Sequence, residues 1–106
     1  MTNKDIILLY EAMSAITGEM LTAARAGDWE LLMTLEPRCS KHVQTLKDEE
    51  QPPALSSPER EQTIKIIQKI LEDDLAIRKL ADARMAQLSS LMNSTKTERK
   101  LIEAYT

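Results

Sequence analysis

The chain has no phenylalanine, one tryptophan and two tyrosines in 106 residues. Leu, Ile, Met and Ala must therefore fill whatever core it builds. It holds two glycines and four prolines and few β-branched runs, which leaves strands little to build on; the composition reads all-α. A single cysteine excludes an internal disulfide framework. Long apolar runs are missing too. The longest near the start, Ile6 to Tyr10, is closed by Glu11, which is too short for a signal h-region or a membrane span; a cytoplasmic protein is expected. Charge of one sign is also absent as a cluster. The net charge is −3, with Lys and Arg interleaved among Asp and Glu, whereas a nucleic-acid binder concentrates basic charge on one face. Direct nucleic-acid contact is not expected. By length the chain is one domain, 1–106.

What the sequence does have is one long helical stretch, Ser57 to Met92, with no Pro or Gly after Pro58. As a helix it reaches ~50 Å. Ile64, Ile67, Leu71 and Leu75 form one apolar row, and Ile66, Ile70, Ile77, Leu80, Leu88 and Leu91 form another. Together they are wider than the ~100° stripe of a surface helix, so this helix is expected to need neighbours on more than one side.

Thr2 or Asn3 can cap a first helix with Asp5 in its opening turn. Ile6, Leu9, Met13, Ile16, Met20 and Ala23 then follow a heptad, the pattern of a helix packed along its neighbours. Gly18 lies almost opposite that seam and reads as a tolerated surface glycine. Gly27 suits the left-handed position after a helix, and Asp28 can cap the next one, so helices 1 and 2 form an antiparallel hairpin. The second seam runs through Trp29, Leu32, Leu35, Cys39, His42 and Leu46 across Pro37, which is expected to kink the helix rather than split it. Pro52 and Pro53 mark a loop, and Ser57 with Pro58 reads as N-cap and first position of helix 3, with Glu61–Lys65 and Asp74–Arg78 as i,i+4 pairs on its outer face. Near Asn93 a break is expected, followed by a capping box from Thr95 to Glu98 and a short fourth helix.

The spans are about 3–26, 28–49, 58–92 and 95–105. Helix 3 outreaches the hairpin by ~15 Å, starting near Leu80, and helix 4, ~16 Å long, can fold back over the excess. The expected architecture is all-α: an antiparallel three-helix bundle, made of a helix hairpin plus one long helix, with a short C-terminal fourth helix folding back.

Chemistry finds little support. Cys39 and His42 at i,i+3 are two ligands where zinc wants four, or three plus water, and both fall on a packing seam. Asp73 and Asp74 point ~100° apart on a helix and cannot face one substrate. A small helical enzyme of the chorismate mutase type needs Arg and Lys aimed into the bundle, and the seams of helices 1 and 2 carry none. No catalytic residues, metal or cofactor are expected. The methionines say more: Met13 and Met20 suit the core, while Met85 and Met92, on the overhang, suit a surface that adapts to a partner.

GDWELLMTLE at 27–36, a PP-containing loop, a long helix ending LSSLMNSTK at 88–96 and KLIEAY at 100–105 closely resemble the FliT family of flagellar export chaperones, in order and spacing over nearly the whole chain. Within that family pattern Pro37 is unusual, and some relatives carry a tail beyond the position of Thr106. The resemblance implies a non-enzymatic cytoplasmic chaperone that binds the filament-cap protein FliD before type III export. It also implies, for some members, binding to the FlhDC regulator through FlhC with repression of flagellar genes, and contacts with the export ATPase FliI and with FliJ. It places Ile67 and Leu71 in the FliD-binding surface and makes the C-terminal helix a regulatory cover. The partner surface expected here comprises Ile64, Ile67, Leu71, Leu75, Met85 and Met92, and the cover Leu101, Ile102 and Tyr105. The alternative is a self-assembling bundle with helix 3 buried in a homodimer.

Overall fold

The computed structural model describes residues 2–49 and 54–105, the side chains of 94–98 and 105 excepted. Among the described residues there are three helices and no strand: α1 (Asn3–Arg25), α2 (Trp29–Lys47) and α3 (Ser57–Tyr105). The all-α bundle expected from composition is what forms.

Local chemistry sets the helix ends. Thr2 and Asp5 close a reciprocal capping box at the start of α1: the Asp5 N–H donates to Thr2 Oγ1 at 3.2 Å and the Thr2 N–H donates to Asp5 Oδ2 at 3.1 Å. Gly27, at φ 72°, takes the left-handed turn, and Asp28 Oδ1 accepts the Leu31 N–H at 3.1 Å. α3 is capped one residue earlier than expected, by Ser56. The Ser56 N–H donates to Glu59 Oε1 at 3.0 Å and Ser56 Oγ accepts from Glu59 N at 3.4 Å. Ser57 would have had Arg60 three residues on, which has no acceptor to return the bond. Pro52 and Pro53, the expected loop marks, lie outside the described residues. Pro37 stays inside one continuous α2, on its exposed side, where water can reach the carbonyl that loses its donor.

α1 and α3 run in the same direction, with α2 antiparallel to both. Asn3 Nδ2 donates to the Ala54 carbonyl at 2.9 Å, Gln62 Nε2 to Glu11 Oε1 at 3.3 Å, and Thr17 Oγ1 to Asp73 Oδ2 at 3.4 Å. The core joins Ile16, Met20 and Leu21 of α1 to Leu35 of α2 and Ile77 of α3, with Leu32, Cys39, Ala76 and Leu80 packed on it. The helix with neighbours on two sides is α1, not α3. Its buried set runs through Ile6, Met13, Ile16, Thr17, Met20, Leu21, Ala23 and Ala24, too wide for one contact. By length and composition α1 is also the one described helix apolar enough to cross a membrane, although no unbroken run within it is long; here its apolar residues build the core.

The C-terminal end differs from expectation. α3 passes Asn93 without a break and stays helical to Tyr105, so there is no separate fourth helix over 95–105 folding back. Asn, Ser and Thr each cost only a fraction of a kcal/mol in a helix. Breaking there would cost a new nucleus and two sets of unpaired backbone groups. The side chains of the expected Thr95–Glu98 box lie outside the described ones. At ~1.5 Å per residue, 49 residues reach ~73 Å, which matches the 73 Å long axis of the molecule. The radius of gyration is 20.5 Å, against about 13 Å for a compact chain of this size. The overhang starts near Leu88 rather than Leu80, because the hairpin turn and the first turn of α2 reach past the end of α1 to Arg84 and Gln87.

Candidate functional site

The two apolar rows of α3 have opposite fates. Ile66, Ile70, Ile77 and Leu80 face the hairpin and are half-buried or buried. The other row lies roughly 140° around the helix at 100° per residue, where the hairpin does not reach. On it Ile64 is 48% exposed, Leu71 61% and Leu75 55%, and Ile67 at its edge is half-buried. This row sits beside the hairpin but points away from it. α3 therefore carries an apolar strip of about three turns, ~16 Å from Ile64 to Leu75, that nothing in the chain covers among the described residues.

Met85 and Met92 are 65% and 62% exposed. Eighteen residues make five helical turns, so Met85 lies on the same side as Ile67, with Met92 seven residues further. The six residues of the expected partner surface thus fall on one broad side of α3. Leu101 and Ile102, also exposed, are not brought to them. Leu101 lies ~39 Å along the helix from Leu75, and in this conformation the C-terminal segment covers neither row. The side chain of Tyr105 is outside the described ones.

Polar groups along α3 are held in ordinary pairs. Asp73 Oδ2 accepts from Lys69 Nζ at 2.8 Å as well as from Thr17, and the expected Asp74–Arg78 pair forms at 3.0 Å. The expected Glu61–Lys65 pair does not form among the described residues; Lys69–Asp73 does. Cys39 and His42 are half-buried on α2, and no group of three or more His, Cys, Asp or Glu that could hold a metal occurs among the described residues. Burial pushes the Cys39 thiol pKa up, with smaller contributions from Glu36 and Asp74. Cys39 lines a groove of about 310 Å³ with Met20 and Ile77.

Sequence reasoning missed two features. Leu31, 44% exposed, borders a groove of about 510 Å³ along the small residues Ala15, Gly18, Thr22 and Ala26; its signal was Leu31 beside Leu32, since adjacent helical residues cannot both face one core. Arg84 lies over Trp29, 5.4 Å from the ring centroid, a pairing that only the register of α1 against α3 creates.

A family model described as flagellar protein FliT matches residues 7–106. The crystal structure of flagellar protein FliT from Bordetella bronchiseptica is similar to the chain with a TM-score of 0.73 at 29% sequence identity, over 81% of this chain and 98% of that one.

Proposed function

The chain belongs to the FliT family of flagellar proteins, and from that premise we propose that it is a cytoplasmic chaperone of flagellar type III export that binds the filament-cap protein FliD. The observation that carries the reading is the strip of Ile64, Leu71 and Leu75, exposed on the side of α3 that the hairpin leaves open. An amphipathic helix of the client lays its apolar side along the strip, in the helix-in-groove manner, and is kept from self-association until export. Burying each large apolar side chain contributes about 1.5–3 kcal/mol, before the cost of association is subtracted. Ile67, Met85 and Met92 extend the contact, the methionines adapting to the client's shape. FlhDC, through FlhC, and FliI and FliJ are the further partners the family assignment suggests, with repression of flagellar genes following from the first.

The C-terminal segment is assigned a regulatory role. With α3 extended the whole surface is open; if the helix breaks near Asn93, Leu101, Ile102 and Tyr105 can swing back about 16 Å and compete for its Met85 and Met92 end, short of the Ile64–Leu75 strip. Such a competitor lowers affinity only by the population of its docked state. Calorimetric titration of FliD tests both parts. Binding by the intact chain, and tighter binding by a chain truncated before Thr95, is the expected result. Equal affinity of the two forms contradicts the regulatory role, and no binding by either overturns the chaperone assignment. A tight dimer in sedimentation, with no FliD binding, gives the strip to a second copy of the chain instead.

A further inference from the structure

We propose that the pocket at the hairpin turn, where Arg25, Trp29 and Arg84 meet, docks an acidic end of an amphipathic helix from a protein partner, the rest of that helix lying along the α3 overhang. The proposal rests on the partner-binding reading above but uses a different face of α3 from the strip at Ile64–Leu75.

The pocket is about 350 Å³, with Leu80, Ala83 and Gln87 completing its α3 side, and its lining contains no carboxylate. That is unusual in a chain with 17 acidic and 14 basic residues. Among the described residues neither Arg25 nor Arg84 has an ion-pair partner, whereas Lys69 and Arg78 do. Each arginine has a structural use: Arg25 in the last turn of α1 complements the helix dipole, and Arg84 stacks on Trp29. Neither use brings it a carboxylate. A stacked guanidinium engages the ring through its flat face and keeps its in-plane N–H donors for a bidentate acceptor.

Charge complementarity makes the occupant acidic, and continuity makes it a helix. Leu80, Arg84 and Leu88, at i, i+4 and i+8, carry the side of α3 that packs on the hairpin past the point where α1 ends, and Leu88 is 41% exposed there. A helix arriving on Leu88 continues the α1–α3 packing, and its first-turn carboxylates meet Arg84 and Arg25. Two cations in a chain of net charge −3 are too narrow a field for a nucleic-acid backbone.

Trp29 is the one tryptophan of the chain, so its emission reports on this pocket directly. The probes are two synthetic amphipathic helices of about eighteen residues, enough to span the overhang, identical except for two Glu or two Gln in the first turn. Titrated into the full chain, the Glu peptide is expected to shift Trp29 emission and to bind about tenfold more tightly than the Gln peptide, an advantage that Arg25→Gln and Arg84→Gln each cut to about threefold by calorimetry. If Arg84→Gln melts early, Arg25→Gln, which keeps the Trp29 stack, carries the test. Leu71→Asp lies outside this pocket and should leave the advantage of the Glu over the Gln peptide at about tenfold, whatever it does to the affinity of both, which separates this site from the strip. Equal affinity for the two peptides, or undiminished affinity in Arg25→Gln, overturns the proposal. So does a Trp29 response to inorganic phosphate alone equal to that of the Glu peptide.

Discussion

Leu71 and Ile77 stand six residues apart on α3, yet Leu71 is 61% exposed and Ile77 7%. Six residues make one and two-thirds turns, so the two side chains leave the helix on different sides, one to solvent and one to the core with Leu35 and Met20. Ile77→Ala is therefore expected to cost about 2–5 kcal/mol. Leu71→Gln should stay within about 0.5 kcal/mol of the parent. Urea unfolding followed by circular dichroism measures both; a large loss in Leu71→Gln would mean the strip is packed in solution.

The two glycines are expected to respond to alanine with opposite signs. A Cβ at Gly18 would meet only the flexible tip of Lys69, at 3.6 Å, so Gly18→Ala should stabilise by up to ~1 kcal/mol through helix propensity. Gly27 has open space around it but a φ of +72°. Gly27→Ala should destabilise by about 1 kcal/mol through backbone strain alone. Thermal melts of the two variants, moving apart from the parent, are the check.

Acid should loosen the start of α3. The Ser56 backbone N–H, and then its hydroxyl, hold the Glu59 carboxyl below its ordinary pKa of 4.5. Because the folded value is depressed, the stabilisation is fully present above 4.5 and is lost as pH falls through the folded value. Carboxyl titration by NMR is expected to place Glu59 below 4.5. Ser56→Ala, which removes the hydroxyl but not the N–H, should raise its midpoint part of the way.

Beyond Leu88 every described side chain of α3 is exposed, so about eighteen residues of helix have no buried apolar side chain among the described ones to hold them. An isolated helix of that length is marginal in water. Amide exchange in 88–105 should therefore run orders of magnitude faster than in 70–80, and a chain ending at Asn93 should lose less than about 0.5 kcal/mol of stability. Slow exchange throughout the segment would show that it docks.

Much of this was legible in the residues themselves. The heptad from Ile6 to Ala23 gave the core side of α1, Gly27 and Asp28 gave the hairpin, and the two apolar rows of α3 were visible, though not which of them meets it. Periodicity shows that a side chain is apolar but not what covers it, so Ile64 and Ile66 looked alike although one is exposed and the other is not. The same limit hid the central place of α1, whose buried set spans two contacts. The continuity of α3 past Asn93 turned on small propensity differences against a nucleation cost that no local motif displays. Trp29 and Arg84 met only once the parallel register of α1 and α3 was fixed.

Capture of the client by the open strip of α3 is what links this fold to the proposed chaperone role. Calorimetric titration of FliD into the parent chain and into Leu71→Asp, a change at an exposed site that should leave the bundle folded, is the decisive comparison. Leu71→Asp is expected to weaken binding at least about tenfold, the equivalent of 1.4 kcal/mol, with an unchanged circular dichroism spectrum. Parent-like affinity in that variant would contradict it.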